Sequence, residues 1–212
     1  MRLLVLVSLI LSGLGCLVSC SSGKPMPEHN VVYYVDTISP IKHEYRRSNR
    51  VGSYQTELTY AGNTYNGKLF IKKINRKHFK LAYTTDSDFK LFAIDITDTT
   101  MVWDYCFEKL DRKIVKKIFE RNFRALLALV PEKNDILTSR EDKPHTILGG
   151  PKENVYIYWT DDKKDNIYKT LYTNGKEVLV IVHYLTYDEN FPTRIKIADH
   201  ASQMTMTLVN TE

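Results

Sequence analysis

The sequence predicts an α+β protein made mainly of antiparallel strands: a curled sheet or half-barrel of about ten or eleven strands, with one main amphipathic helix packed on its concave face. Three observations predict this fold class. Short runs alternate between apolar and polar residues. Most connections between them are too short for a parallel crossover. One stretch in the middle of the chain instead repeats its apolar residues at spacings of three and four.

The strand pattern begins with Val31–Val35 and is regular from residue 52 onward, where Tyr54, Thr56, Leu58 and Tyr60 fall on one face. Turn signals follow at Ala61-Gly62-Asn63 and Asn66-Gly67. The later predicted strands are Lys68–Ile74, His78–Thr84, Phe89–Ile96, Thr100–Phe107, Val155–Thr160, Ile167–Thr173, Lys176–Thr186, Arg194–Ala198 and Gln203–Val209.

The predicted helix interrupts the strands. Asp111 is a good N-cap residue and Pro131 follows the last apolar position, so the helix is expected between them. Its apolar stripe consists of Ile114, Val115, Ile118, Phe119, Phe123, Leu126, Leu127 and Val130. A single sheet of this length must curl. A helix laid across the concave side would complete the core without full barrel closure.

The amino-terminal residues have the order of a secretory signal. Arg2 precedes an apolar run, and small residues follow it. The run is interrupted by glycines and serines and is shorter than the ~20 apolar residues of a spanning helix. Leu17-Val18-Ser19-Cys20 resembles the lipobox of bacterial lipoproteins, which implies cleavage before Cys20 and lipidation of its sulfur. Cys16 is the alternative, in a poorer match.

The chain is therefore expected to divide into a lipoprotein signal peptide over residues 1–19, a lipidated tether over 20–30 and a single β-rich domain over 31–212. The resemblance implies that membrane lipid is a partner, through the anchor. Ser21 follows the cysteine, where an aspartate would favour the inner membrane in related lipoproteins. The expected location is the outer membrane, facing the periplasm.

The composition is that of a globular body, with 43% hydrophobic and 26% charged residues. The net charge of +5 is modest and spread along the chain. That excess is too weak to indicate nucleic-acid binding, so no nucleic-acid partner is expected.

Residue patterns for catalysis or metal binding are missing from the sequence. The histidines have no zinc-like spacing, and they stand at positions 29, 43, 78, 145, 183 and 200. Asp161, Asp162 and Asp165 lack the glycine and terminal glutamate of a calcium loop. No G-x-S-x-G motif is present, and His183 lies on a predicted strand. We expect no enzyme activity, no metal and no cofactor.

The lipobox, the long antiparallel meander and the central helix together resemble the half-open barrel of the LolA/LolB lipoprotein carriers. Locally, "YNGKLFIKK", "FKLFAID" and "LDRKIVKKIFERNFRALL" resemble uncharacterised lipoproteins of Bacteroidota. The resemblance implies an acyl chain or a lipoprotein as cargo. One departure is the connection Thr85-Asp86-Ser87-Asp88-Phe89. LolB-like receptors carry an exposed apolar loop, whereas two aspartates here make membrane entry costly.

The candidate cavity is an apolar space between the sheet and the helix, sized for acyl chains. The predicted lining residues are Leu69, Ile71, Phe79, Leu81, Tyr83, Phe89, Leu91, Trp103, Tyr105, Ile118, Phe119 and Phe123. Three functions follow. The first is binding of an acyl chain or lipoprotein in lipid or lipoprotein traffic to the outer membrane. The second has the same fold with a filled core, acting as a non-enzymatic accessory subunit of an envelope protein complex. The third, an envelope hydrolase, has the least support because no catalytic motif is present, although the residues of a triad can lie far apart in the sequence.

Overall fold

The structure is a computed structural model of the 212-residue chain. It describes residues 24–25, 51–75, 77–129, 137–139, 145–149, 154–159, 167–188 and 191–211. Cys20, Cys16 and the predicted strand Val31–Val35 lie outside these residues, as do Asp161, Asp162 and Asp165.

The described residues contain thirteen strands in one sheet. Their bounds are β1 Lys24–Pro25, β2 Val51–Tyr60, β3 Asn63–Asn75, β4 His78–Thr85, β5 Lys90–Thr97, β6 Met101–Cys106, β7 Leu137–Ser139, β8 His145–Gly149, β9 Asn154–Trp159, β10 Ile167–Thr173, β11 Glu177–Asp188, β12 Phe191–Asp199 and β13 Met204–Asn210. The short strands β1, β7 and β8 were not predicted; the other ten correspond to predicted strands.

All the strand pairs are antiparallel, in the order β6-β5-β4-β3-β2-β13-β12-β11-β10-β9-β8-β7, with β1 paired to β11. The sheet thus consists of two meanders. They meet where β2 pairs with β13, for example Leu58 opposite Met206. The predicted fold class, a curled open sheet with one helix packed against it, is confirmed.

Helix α1, Lys113–Leu127, lies in the chain between β6 and β7, which are the edge strands of the two meanders. The predicted N-cap, Asp111, is wrong: the N-cap residue is Arg112, which makes no side-chain capping bond. Asp111 instead lies within a turn after the 3₁₀ helix Glu108–Leu110, and its carboxylate pairs with Lys116 at 2.6 Å.

The carboxyl end of α1 is closed by a left-handed residue, Ala128, with a φ of 49°. Its N–H donates to the Ala125 carbonyl, and the Leu129 N–H donates to the Arg124 carbonyl, which together form a Schellman cap. Hydroxyl groups from the sheet reach the same end. Thr170 donates to the Ala125 carbonyl, and Tyr184 donates to the Leu126 carbonyl, both at 2.9 Å.

Two buried polar contacts hold α1 on the sheet. Arg121 and Asn122 both donate to Asp199, whose side chain is fully buried at the end of β12. Arg124 is 1% exposed, and its guanidinium donates to the carbonyls of Thr97 and Asp98 after β5. Each meander is therefore bonded to the helix.

The main hydrophobic core lies between α1 and the inner face of the sheet and includes Leu69, Ile94, Phe123 and Leu208. A second cluster contains Tyr156, Tyr158, Leu171, Val178 and Ile181. Tyr156 and Tyr158 alternate along β9 with Val155 and Ile157 of the main core, so the second cluster lies on the outer face.

The predicted turn at Ala61-Gly62 is confirmed, whereas the one at Asn66-Gly67 is wrong because β3 runs through both residues. A glycine is required at position 67 because β3 and β4 approach each other closely there. A Cβ on Gly67 would stand 2.1 Å from the backbone oxygen of Thr84 on β4. Gly67 is needed for the packing of neighbouring backbones rather than for a turn.

The β2–β3 turn provides a prediction about stability. Ala61 and Gly62 have φ angles of 50° and 77°, the signs required at both central residues of a type I′ turn. Ala61→Asn should raise the free energy of unfolding by about 0.5–1 kcal/mol, because asparagine tolerates this conformation better than alanine. Urea denaturation measures the change. The same substitution at Thr64, an exposed position within β3, should not stabilise the protein; equal effects at both sites would contradict the turn argument.

Candidate functional site

A cavity of about 230 Å³ lies between the inner face of the sheet and the first half of α1. It is lined by Leu58, Tyr60, Tyr65, Leu91, Phe92, Phe107, Lys109, Leu110 and Phe119. Its walls come from four parts of the chain: the ends of β2 and β3 near their turn, the beginning of β5, the segment after β6, and the helix.

The alternation of each strand places these residues. Leu58 is buried on β2, as are Tyr54 and Thr56, so the predicted inner face of β2 is confirmed. The segment after β6 stays beside β5 because the Phe107 N–H donates to the Leu91 carbonyl at 2.8 Å. This bond places Phe107 and Leu110 at the open end of the half-barrel.

Phe92, which is fully buried and lines the cavity, is the centre of an aromatic cluster that extends behind the cavity lining. Its ring centroid lies 5.1 Å from Phe119, 5.6 Å from Tyr83, 5.7 Å from Phe123 and 5.9 Å from Trp103. These separations suit offset and edge-on ring packing. The cluster is therefore a rigid apolar surface that joins the sheet to the helix.

Partly exposed aromatic residues lie near the cavity opening. Tyr65 is 39% exposed, and Phe89 is 46% exposed with its ring 5.1 Å from Phe107 in an edge-on contact. Asp86 and Asp88 flank Phe89 in the β4–β5 turn. The turn is closed by the Asp88 N–H donating to the Thr85 carbonyl, so it does not form an extended apolar loop.

Tyr83, in the aromatic cluster behind the cavity lining, has a hydroxyl group that is uncharged at neutral pH. Burial, with a smaller contribution from the Asp86 carboxylate, raises the pKa of Tyr83 to about 12. The Tyr83 hydroxyl donates to the Tyr65 carbonyl at 3.2 Å. Of the described residues that line the cavity, Lys109 is the charged one. The chemistry of the site is thus apolar contact with one cation at its edge.

The structure brings most of the predicted lining residues into one core. The buried members are Leu69, Ile71, Phe79, Leu81, Tyr83, Leu91, Ile118, Phe119 and Phe123. Trp103 is partly buried against them. Of the predicted set, Leu91 and Phe119 line the cavity itself. That the others contact a ligand stays a prediction.

Phe89 and Tyr105 are placed differently from the rest of the predicted set. Phe89 precedes β5 and is in the turn, and Tyr105 is 40% exposed. Along β5, Ala93 pairs with Tyr105 and Ile94 with Trp103, so Asp104 is an extra residue in β6. This bulge turns Tyr105 to the face opposite Trp103, although strict alternation would place both on one face.

Several lining residues were not named from the sequence. Leu58, Tyr60 and Tyr65 continue the alternation of β2 and β3, so the period-two pattern could have identified them. Phe107, Lys109 and Leu110 belong to an irregular segment and a 3₁₀ turn. No periodicity marks these residues as part of a cavity wall.

Chemistry-bearing residues are dispersed in the described part of the chain. Its histidine, cysteine and acidic residues form no group of three or more that could hold a metal ion. His78 pairs with Asp95 at 2.6 Å beside Lys80. His183 is exposed on β11, opposite Lys196. Among the described helices, none has the length and apolar character needed to cross a membrane.

The fold and the cavity define a class of protein, an open antiparallel half-barrel with an apolar space beneath one helix. No protein-family model and no curated protein matches the chain. Solved structures of this class do match. A LolA superfamily protein from Nitrosomonas europaea is 12% identical, with a TM-score of 0.52, over 82% of this chain and 88% of that one.

An outer membrane lipoprotein-sorting protein domain from Vibrio parahaemolyticus is also similar. It is 11% identical, with a TM-score of 0.50, over 76% of this chain and 83% of that one. At these identities the likeness concerns the fold alone. The chain therefore has the LolA-like half-barrel fold that the sequence predicted.

Proposed function

We propose that this protein binds an acyl chain, free or carried by a lipoprotein, and takes part in lipid or lipoprotein traffic in the cell envelope without catalysing a reaction. The observation that carries the proposal is the cavity of about 230 Å³ between sheet and helix, whose lining is almost entirely apolar. Sites for small apolar ligands are concave, mostly apolar and largely preformed.

The solved structures of the same fold support this class of function. One is described as a LolA superfamily protein and another as an outer membrane lipoprotein-sorting protein domain. Neither description names an enzyme. The fold itself does not determine function, so the proposal depends on the apolar lining together with these descriptions.

The proposed location is the outer membrane, with the domain in the periplasm and a lipid anchor on Cys20. The lipobox-like Leu17-Val18-Ser19-Cys20 and the apolar run before it support the anchor. The description of the Vibrio parahaemolyticus domain supports an envelope location.

A second candidate function, an accessory subunit of an envelope protein complex, is favoured by a depression of about 200 Å³ on the sheet. Phe70, Ala82 and Ala93 lie in one row across its floor, with Lys72 and Lys80 beside them. These residues alternate with buried Leu81 and Ile94, so the row is on the outer face. The rim also carries Asp104, and Lys80 pairs with Asp95 at 3.2 Å, so this shallow, mostly apolar floor with charges of both signs suits a protein surface of complementary charge.

The proposed function predicts that filling the cavity abolishes binding. Leu91 is 7% exposed and lines the cavity, so the larger ring of Leu91→Trp would occupy the space an acyl chain needs. We expect the affinity for a fluorescent fatty acid to fall by at least about tenfold, the equivalent of ~1.4 kcal/mol. Fluorescence titration of the purified protein measures it.

The matched control for this experiment is Leu185→Trp. Leu185 is 47% exposed on β11, outside the cavity lining, so the same change of side chain there should leave binding unaltered. Circular dichroism and the unfolding midpoint show whether each variant is folded. Unaltered binding by folded Leu91→Trp, or no binding by the natural protein, would reject the cavity as the ligand site.

A further inference from the structure

We infer that the ligand of this cavity is a single-chain amphiphile with an anionic head group, and that the Lys109 ammonium group binds the head at the cavity opening. This inference rests on the proposed function and specifies the ligand class. Three observations lead to it: the volume of the cavity, the composition of its lining and the charge of Lys109, which forms no salt bridge with a described carboxylate.

The volume limits the number of chains. An apolar cavity of about 150 Å³ in a protein core accommodates one benzene molecule, six carbon atoms. By that scale the cavity of about 230 Å³ takes about nine carbon atoms. One chain of medium length fits, with its last carbons at the opening. The several chains of a fully acylated lipid do not fit together.

The composition of the lining separates an apolar interior from a polar edge. The interior is formed by hydrocarbon side chains, those of Leu58, Leu91, Phe92, Phe107, Leu110 and Phe119. Tyr60 and Tyr65 add rings with a hydroxyl tip, which suit a boundary between apolar and aqueous surroundings. A ligand matched to this lining is apolar over most of its length and polar at one end.

The positive charge of Lys109 favours a negative charge on the polar end of the ligand. Lys109 is exposed, and no carboxylate of the described residues forms a salt bridge with it. Other lysines are paired: Lys77 with Asp98 at 2.8 Å and Lys116 with Asp111 at 2.6 Å. Because one side of Lys109 faces an apolar wall, an anion placed there would be screened less than on an open surface.

The acidic residues nearby lie outside the lining. Asp86 and Asp88 are in the β4–β5 turn, and Glu108 precedes Lys109 in the 3₁₀ turn. The Asp86 carboxylate accepts a hydrogen bond from the Gln55 amide at 3.0 Å. An anion is disfavoured beside each of these carboxylates, so we expect the head group to contact the Lys109 ammonium group directly.

The test compares ligands that share a chain and differ in the head. Isothermal titration with dodecanoate, dodecyl phosphate and dodecanol, each as monomer in solution, gives affinity and stoichiometry. We expect one molecule per protein and at least fivefold tighter binding of an anion than of the alcohol. The stronger of the two anions identifies the head group as carboxylate or phosphate.

The variants assign the preference to one side chain. Lys109→Glu should lower the affinity of the protein for both anions by at least fivefold and leave its affinity for dodecanol unaltered. Lys113→Glu makes the same charge change at an exposed helix position that does not line the cavity, and it should have little effect. Lys109→Gln removes the charge without reversing it. Its affinity for the anions should lie between those of Lys109→Glu and the natural protein.

The outcomes distinguish this inference from the proposed function. Equal binding of anion and alcohol, unaltered by Lys109→Glu but lost in Leu91→Trp, would overturn the head-group inference and leave the cavity function in place. Two or more chains per protein would overturn the single-chain inference. Failure of all three ligands to bind the folded natural protein would overturn both.

Discussion

Asp199→Ala is expected to lower the free energy of unfolding by about 3–5 kcal/mol, the usual cost of leaving one member of a buried ion pair without its partner. The Asp199 side chain is fully buried and receives two nitrogens of Arg121, the Asn122 amide at 2.8 Å and the Ser202 N–H at 3.0 Å. Removing the carboxylate deprives the Arg121 guanidinium and the Ser202 N–H of this acceptor and leaves the Asn122 amide with its bond to the Ile118 carbonyl.

Equilibrium urea unfolding measures this loss, with the slope of the transition reporting whether unfolding stays cooperative. The matched control is Asp95→Ala. Asp95 also has two side-chain partners, the His78 ring and the Lys80 ammonium group, but its side chain is 23% exposed, so we expect a loss of about 1 kcal/mol or less. Similar losses for the two variants would show that burial of the Asp199 network contributes little.

The position of Asp199 connects this stability argument to the cavity. Asp199 ends β12, and its partners Arg121 and Asn122 lie on α1 between Phe119 and Phe123. Both phenylalanines contact Phe92, and Phe119 lines the cavity. The same helix segment therefore forms one cavity wall and holds the helix to the C-terminal meander. Loosening it should weaken ligand binding as well as the fold.

The sequence was sufficient for the strands and the helix because their signals are local. Alternation at period two identifies Tyr54, Thr56 and Leu58 as inward residues of β2. Spacings of three and four identify most of the buried face of α1, although Ile114 of the predicted stripe is 62% exposed in the first turn. Short polar connections then require antiparallel neighbours. These rules hold wherever the chain is regular.

The rest of the site depends on contacts between residues far apart in the chain. Asp199 is 78 positions from Arg121, and no local pattern pairs them. The pairing of β2 with β13, which joins the two meanders, is equally remote. One extra residue at Asp104 was enough to move Tyr105 away from the predicted face. The cavity wall at Phe107–Leu110 is irregular, and periodicity does not describe it.

Cys20→Ala is expected to abolish incorporation of radioactive palmitate and to move the protein from the membrane fraction to the soluble fraction. Each buried methylene contributes ~0.8 kcal/mol, and two acyl chains already give stable attachment. Loss of every chain should therefore reduce the membrane-bound fraction at least about tenfold. Cys20 lies outside the described residues, so labelling in cells and fractionation are the appropriate measurements.

Cys16→Ala is the control, since the two cysteines are four positions apart in the same signal. If the label is lost in Cys16→Ala and kept in Cys20→Ala, the lipidated residue is Cys16, and the protein still has a lipid anchor. Label kept in both variants would reject lipidation at either cysteine. The described residues that line the cavity are at positions 58 to 119 of the sequence, so we expect the cavity to form whichever result is obtained. Released Cys20→Ala protein should accordingly bind dodecanoate with the affinity of the anchored form, and a change in that affinity would show that the anchor occupies or alters the site.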